Sequence, residues 1–150
     1  MREILFRGKT KDGNERVEGF FAAKENKSYI VTVDTIDPVK NHEAFICVEV
    51  IPETVGQFTG MTDKNGNRIF EGDIIHSFYA NCPKNEHIEK VSFFDGSFAA
   101  ESARGGCYAR IAGQGSPKHF ARDKSVYMIE CEVIGNIHDN PELLKGGEDK

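Results

Sequence analysis

Short turn signals built from Gly, Asn and Asp divide most of this chain into runs rich in Val, Ile, Phe and Tyr. They read KDGN at 11–14, ENKS at 25–28, KNGN at 64–67 and FDGS at 94–97. Such signals separate β-strands, and no long run of the chain places apolar residues at helical spacing. The pattern predicts a mainly β protein whose strands are joined by short hairpin turns.

The predicted strands are the runs between these turns. They are EILFRG, RVEGFFAA, YIVTVD, AFICVEVI, VGQFTG, RIFEGDIIHSFY, IEKVSFF, SFAAES and VYMIECEVIGNI. Near the end of the chain, Asn140 and Pro141 are typical of a helix start and Gly146 of a helix end, which predicts a short helical turn. Residues 145–150 are expected to form a loose tail.

Two turn dipeptides also predict how their flanking strands pair. Asn65-Gly66 and Asp95-Gly96 suit two-residue type I′ hairpins, which need a positive φ at both central residues. The first turn would then pair Lys64 with Asn67, Asp63 with Arg68, and Met61 with Phe70. The second would pair Phe93 with Phe98, Val91 with Ala100, and Lys90 with Glu101, with apolar and polar side chains on opposite faces of a core-forming hairpin.

Length and composition favour one ordinary folded protein. The chain has 150 residues, of which 39% are hydrophobic, including 11 Phe. A chain of this length can bury a core without disulfides or metals. Its formal net charge of -5 argues against a uniformly basic surface for binding nucleic acid. The N-terminal sequence has no secretory pattern and no apolar run is long enough to span a bilayer, so a cytoplasmic protein is expected.

The stretch GMTDKNGNRIFEGDII at 60–75 has the composition of a calcium loop but not its spacing. Counted from Asp63, an EF-hand would require Gly at the sixth position and an acid at the twelfth, where this chain has Arg68 and Ile74. No Walker phosphate-binding motif occurs here or in GQGSPK at 113–118. The stretch is therefore interpreted as a hairpin turn.

The acidic pair that follows this turn is interpreted structurally as well. Gly72 would allow a bulge or sharp bend, and Asp73 would accept hydrogen bonds from nearby backbone. The alternative is an acid/base pair of Glu71 and Asp73, which would share one face if both lay on a strand. The sequence alone gives no sign of the cleft that such chemistry requires.

The four cysteines, Cys47, Cys82, Cys107 and Cys131, form no C-x-x-C pair and are expected to be free thiols. His76, Cys82, His87 and Cys107, which we term the metal constellation, are the residue types that could bind a metal ion. Their spacing is looser than that of zinc sites, which favours partly buried thiols and solvated histidines instead. A Cys/His nucleophile lacks a recognisable motif. No catalytic residue, cofactor site or metal site is predicted.

One segment of this acidic chain is locally basic. Residues 104–124 contain five Lys or Arg side chains and one acid. Aromatic residues and glycines are interspersed, which suits stacking on single-stranded nucleic acid or contact with a partner, although a solvated loop is the simpler interpretation. The residues proposed for such contact are Arg104, Tyr108, Arg110, Lys118, His119, Phe120, Arg122 and Lys124.

Five segments together resemble the YopX-like proteins of bacteriophages and prophages. They are REILFRGK at 2–9, VEGFF at 17–21, PETVGQFTGMTDKNGNRIFEGDII at 52–75, VSFFDGSF at 91–98 and EVIGNIHDNPELL at 132–144. The resemblance covers nearly the whole chain in order. Gly8 departs from it, because some relatives have Trp there, and residues 103–126 match nothing associated with the family.

The resemblance implies a phage or prophage protein in the cytoplasm of a bacterial host cell. It also implies an SH3-type β-barrel in the C-terminal half. Together with the turn pattern, it predicts an N-terminal antiparallel β-meander at 1–60 and a barrel at 61–144, with a loop insertion at about 103–126. It supplies no reaction and no catalytic residues.

Three hypotheses about function remain. The first is a non-enzymatic binding module that engages a host or phage macromolecule, since small β-barrels recognise partners through loops and strand edges. The second is a small enzyme with an unrecognised site, and the third is a weak single-stranded nucleic-acid binder through residues 104–124. The absence of any catalytic motif favours the first. Exposed strand edges also predict a homo-oligomer.

Overall fold

The computed structural model describes residues 1–13, 15–37, 39, 42–103, 105, 108–113 and 126–145. These residues form eleven β-strands and two short helical segments. The strands are β1 (Phe6–Lys9), β2 (Arg16–Lys24), β3 (Lys27–Asp37), β4 (His42–Val50), β5 (Gly56–Thr62), β6 (Arg68–Phe70), β7 (Asp73–Ala80), β8 (Glu86–Phe94), β9 (Ser97–Ser102), β10 (Tyr108–Arg110) and β11 (Tyr127–Asn136). A 3-10 turn covers Pro52–Thr54, and helix α1 covers Glu142–Lys145. The prediction of a mainly β protein is confirmed.

The chain divides into two compact units, residues 1–58 and 59–150. No helix among the residues described is both long enough and apolar enough to cross a membrane.

The first unit is an antiparallel sheet in the order β4-β3-β2-β1-β5. Its core-facing side buries Ile30 and Val50. At one end the sheet closes on itself, because Thr10, which follows β1, forms a bridge with Val50 at the end of β4. Two backbone hydrogen bonds flank this bridge, from Ile51 N–H to the Lys9 carbonyl at 2.8 Å and from Lys11 N–H to the Glu49 carbonyl at 3.3 Å.

The second unit contains an antiparallel sheet in the order β10-β9-β8-β7-β11. Its core is a cluster of buried side chains from six parts of the unit. The cluster consists of Ile69, Ile75, Tyr79, Val91, Ala100, Ile111, Met128 and Cys131. Strand β10 lies within the segment that the sequence suggested to be a loop, and it pairs with β9 through Tyr108 and Glu101. The predicted C-terminal helical turn is present as α1.

The Asp95-Gly96 hairpin has the predicted turn and register. Asp95 and Gly96 have φ values of 48° and 77°, as a type I′ turn requires. Phe93 pairs with Phe98, Val91 with Ala100, and Lys90 with Glu101. Val91 is buried, whereas Phe93 lies beyond the core and is exposed.

The Asn65-Gly66 turn is a hairpin, but its predicted register is wrong by one residue. Asp63 N–H donates to the Asn67 carbonyl at 2.8 Å, and Gly66 N–H donates to the Asp63 carbonyl at 3.0 Å. Of the two central residues, only Gly66 has a positive φ, at 87°. The loop thus has three residues, 64–66, with glycine in the left-handed position. The pairs Lys64–Asn67, Asp63–Arg68 and Met61–Phe70 are replaced accordingly.

The Asp63 side chain explains the longer loop. One of its carboxylate oxygens accepts the backbone N–H groups of Asn65 and Asn67, each at 2.9 Å. The other accepts the Asn67 side-chain amide at 3.1 Å and the Val133 backbone N–H at 3.0 Å. A two-residue turn would place Asp63 opposite Arg68, so that these donors would lose their acceptor. The carboxylate therefore fixes the turn and joins it to β11.

Candidate functional site

Neither the calcium-like stretch nor its acidic pair forms a reactive site. Gly72 has a φ of 85°, as expected for a sharp bend, and Glu71 lies in that bend before β7 rather than on a strand. The buried Asp73 carboxylate accepts the Phe70 N–H at 2.8 Å and the Asn136 side-chain amide at 3.2 Å. The backbone-accepting role predicted for Asp73 is confirmed, and the same-face premise of an acid/base pair is wrong.

The metal constellation comes together only in part. Cys82 Sγ lies 3.6 Å from His87 Nε2. His76 contacts Glu86 instead, at 3.1 Å, and projects to the other face of β7 from its neighbour Ser77. Cys107 lies outside the described residues. Within the described ranges, no group of three or more His, Cys, Asp or Glu side chains is placed to hold a metal ion.

An interior cluster of polar side chains lies beside the core of the second unit. It consists of Ser77, Tyr79, Cys82, His87 and Glu89. Tyr79 donates its hydroxyl to the buried Glu89 carboxylate at 2.8 Å, and its ring contacts His87 edge-on. Strand pairing places Ser77 opposite His87, and the buried Ser77 hydroxyl has no hydrogen-bond partner among the residues described.

Burial and nearby negative charge keep two groups protonated at this cluster, Tyr79 and the neighbouring Cys131. Burial, together with the nearby Glu89 carboxylate, raises the pKa of Tyr79 well above its ordinary value. Burial, followed by the negative charge of Asp63, raises the pKa of the adjacent Cys131 thiol to about 12. Both groups therefore remain protonated at neutral pH, whereas a nucleophilic thiol needs a lowered pKa. The sequence singled out Cys82 and His87 but missed Tyr79 and Glu89, whose pairing depends on strand register.

A second candidate is the outer side of the first unit's sheet, which we term the apolar face. It consists of Phe20, Val31, Val33, Phe45 and Cys47. Strand register places these side chains on one side, because Phe20 pairs with Val31, Val31 with Cys47, and Val33 with Phe45. Phe20, Val33 and Phe45 are 58%, 47% and 76% exposed.

The apolar face has more contiguous exposed apolar side chains than is usual for a surface that contacts only solvent. Single exposed apolar residues are common, but contiguous ones across neighbouring strands mark interaction surfaces. Charged residues of both signs surround the face, including Lys11 and Lys27, which form ion pairs with Glu49 at 2.9 and 3.6 Å. An apolar centre within a polar rim is the composition of protein interfaces. The sequence did not reveal this face, because its residues have the same types as core residues.

The residues proposed for nucleic-acid or partner contact cannot be joined into a surface. Arg110 is exposed at the end of β10, and Tyr108 begins that strand. The remaining six lie outside the described residues. They are Arg104, Lys118, His119, Phe120, Arg122 and Lys124. This contact remains a prediction from the sequence.

A family model described as YopX protein matches residues 5–145 of the chain. The chain belongs to the YopX family. The family resemblance in the sequence is thereby confirmed. This YopX-family chain is also similar to a solved structure, described as the crystal structure of protein EF1440 from Enterococcus faecalis. The two are 22% identical over 96% of this chain and 99% of that one, with a TM-score of 0.48. Comparison with curated proteins gives no match.

Proposed function

We propose that this YopX-family chain is a phage- or prophage-encoded accessory protein that acts as a non-enzymatic binding module. Its ligand would be a host or phage protein with a complementary apolar surface, bound on the apolar face of the first unit. The single observation that supports this proposal is the exposure of Phe20, Val33 and Phe45 together on one side of a sheet.

The chemistry of the face favours a protein over a nucleic acid. Phosphate binding requires a concentration of Lys and Arg, whereas the centre of this face is apolar and its rim contains both signs of charge. The energy of such an interface comes from a few large side chains that become fully desolvated. Phe45 and Phe20 are the largest exposed side chains on the face and are the proposed anchors.

In the second unit, the proposed architecture is a small SH3-type barrel. The five-stranded antiparallel sheet and the Asp63 bonds from the hairpin turn to β11 are consistent with this architecture.

The proposal is tested by quantitative capture from a bacterial host extract with three forms of the protein. They are the wild type, the Val33→Ser/Phe45→Ser variant of the apolar face, and a Phe93→Ser control. Phe93 is 56% exposed on the second unit, so the control removes the same kind of side chain elsewhere. All three proteins should show the same circular dichroism and cooperative unfolding.

We expect a protein that is captured by the wild type and the Phe93→Ser control but lost with the Val33→Ser/Phe45→Ser variant. Binding of the purified partner should then weaken at least about tenfold, which corresponds to about 1.4 kcal/mol. The association should have a negative heat-capacity change, as burial of apolar surface requires. Identical capture by all three folded proteins would refute the apolar face as the binding surface.

A further inference from the structure

The outer edge of β4 has backbone groups that no strand among the described residues satisfies. The bonds at Glu49 and Ile51 point away from β3, toward Lys11 and toward Lys9 at the end of β1. Because backbone direction alternates along a strand, Glu43, Phe45 and Cys47 also point their N–H and C=O groups away from β3. Unlike Glu49, these three residues lie beyond the closure with Thr10 and Lys11.

This edge lacks several of the features that usually prevent strands from pairing between molecules. Natural edge strands are commonly protected by Lys, Pro or a bulge. The sequence of β4, HEAFICVEV, contains neither Lys nor Pro, and its register with β3 is regular from Glu43 to Val50. Apolar side chains are exposed on both sides of the strand, with Phe45 and Cys47 on one and Ile46 on the other.

We propose that a second copy of this chain pairs with this edge, β4 antiparallel to β4, about a two-fold axis at Phe45. In this register Phe45 faces its counterpart, and Glu43 faces Cys47 in both directions. All three outward-facing residues then form hydrogen-bonded pairs. A register shifted toward the end of the strand would place Glu43 opposite Glu49, whose carbonyl is already bonded to Lys11. The closure at Thr10 therefore excludes that shifted register, and the register centred on Phe45 pairs all three outward-facing residues.

This pairing deepens the proposed function and partly rests on it. Side chains on one side of a sheet stay on that side when another strand is added at the edge. The apolar faces of the two copies would therefore form one continuous surface with Phe45 at its centre. The dimer enlarges the binding face instead of covering it, and a partner would contact both copies.

The first test removes one outward-pointing backbone N–H. In the Cys47→Pro variant, the missing N–H is one that β3 does not use, and edge strands tolerate proline at such positions. Cys47→Ala is the matched control, because it removes the thiol but keeps the N–H. Val48→Pro is the opposite control, since its N–H points toward β3 and its loss should destabilise the fold.

Sedimentation velocity should show a dimer for the wild type and for Cys47→Ala, and a folded monomer for Cys47→Pro. A monomeric wild type at its highest soluble concentration would overturn the proposal. So would a folded Cys47→Pro variant that remains dimeric.

A crosslinking test does not depend on proline being tolerated. In a Cys47→Ser background, Phe45→Cys would place two thiols opposite each other with Cα atoms about 5.5 Å apart, within disulfide range. Val33→Cys in the same background is the control, because β3 lies one strand further in and its two copies would be about 14 Å apart. Mild oxidation and peptide mapping should give a 45–45 disulfide and no 33–33 disulfide. Equal yields, or no 45–45 disulfide, would contradict the register.

The two proposals fail in different ways. If only the dimer is wrong, the wild type is monomeric and still captures a protein that the Phe20→Ser variant loses. If only the partner site is wrong, Phe20→Ser leaves the dimer intact and changes no captured protein, since Phe20 lies on β2, away from the β4 edge.

Discussion

At the residue scale, two buried acids hold the most patterned stretch of the chain together. Asp63 is 0% exposed and Asp73 is 1% exposed. Both carboxylates accept hydrogen bonds from nearby backbone and from a side-chain amide, and Asp63 also reaches β11. Buried charges persist in proteins only with such partners. The composition that resembled a calcium loop therefore serves the backbone: acids accept the N–H groups that a tight turn leaves unpaired.

Replacing Asp63 with Asn should destabilise the fold by about 3 kcal/mol. The substitution removes one charge and replaces one carboxylate oxygen with an NH2 group. This donor would face other donors, so that buried N–H groups are left unpaired. Urea denaturation of the two proteins measures the difference. Lys64→Ala is the control, because its ion pair with Glu132 lies at the surface, and such pairs contribute about 1 kcal/mol or less.

The same carboxylate should make stability depend on pH. Burial opposes ionisation of Asp63, but hydrogen bonds from Val133, Asn67 and Asn65 outweigh it and hold its pKa below the ordinary value of 3.8. A lowered pKa contributes stability that is present above the ordinary pKa and is lost as the pH falls through the folded-state pKa. Acid unfolding of Asp63→Asn should therefore be less steep in that range. An equally steep curve would show that Asp63 carries no such linkage.

A third residue-scale prediction concerns the close approach of β2 and β3 at Gly19. A Cβ atom there would lie 2.3 Å from the Val31 carbonyl oxygen. Backbone cannot yield as a flexible side chain can, so Gly19→Ala should destabilise by about 2 kcal/mol through overpacking. Thermal unfolding measures this, with Ala22→Ser on the exposed part of the same strand as the control. A loss no larger than that of the control would contradict the close approach.

At the element scale, the two hairpins show what turn dipeptides can and cannot predict. Asp95-Gly96 gives the correct turn and the correct pairs, with a positive φ at both central residues. Asn65-Gly66 is an equally strong turn signal. Here, however, the Asp63 carboxylate accepts the backbone N–H groups of Asn65 and Asn67, and the loop is one residue longer. Local propensity was overridden by a side chain two residues before the dipeptide.

Other features of the structure could not be predicted from the sequence, for physical reasons. Strand β10 has only three residues, which is too short for alternation to be recognised. The apolar face was missed because Phe20, Val33 and Phe45 match core residues in type, and only strand pairing decides which side of a sheet is covered. The Tyr79–Glu89 bond was hidden in the same way, since the two residues belong to different strands.

The Gly66 turn gives the element-scale prediction. Gly66 has a φ of 87°, while a Cβ there would meet nothing within 4 Å, so the cost of a side chain is conformational and not steric contact with neighbours. Gly66→Val should destabilise by about 1 kcal/mol or more, and Gly66→Asn by less, because Asn tolerates the left-handed region. Urea denaturation of both variants measures the costs. Equal losses would argue against a conformational cause.

At the scale of the whole molecule, the two units have different features. The second unit contains the buried core cluster and the interior polar cluster, in which Tyr79 donates to Glu89. In the first unit, a sheet exposes apolar side chains on its outer face and an unprotected strand at its edge. This contrast is the reason why we propose partner binding on the first unit.

Cys47, on the edge strand β4, provides a native probe of the apolar face. It is exposed on the apolar face, whereas Cys131 is buried and Cys82 is half-buried. Its alkylation rate, followed by peptide mass spectrometry, should therefore report directly on whether the face is covered. Protection at Cys47 can be compared with the rate at Cys82 in the same sample, which corrects for general effects of the solution.

The most direct test is the alkylation rate of Cys47 in dilute wild-type protein, alone and in a bacterial host extract at the same protein concentration. We expect the extract to slow alkylation of Cys47 but not of Cys82. In the Phe20→Ser variant, whose substitution is distant from the thiol along the chain, this protection should be lost. Equal rates for Cys47 in buffer and extract, or protection that persists in the folded Phe20→Ser variant, would contradict partner binding at the apolar face.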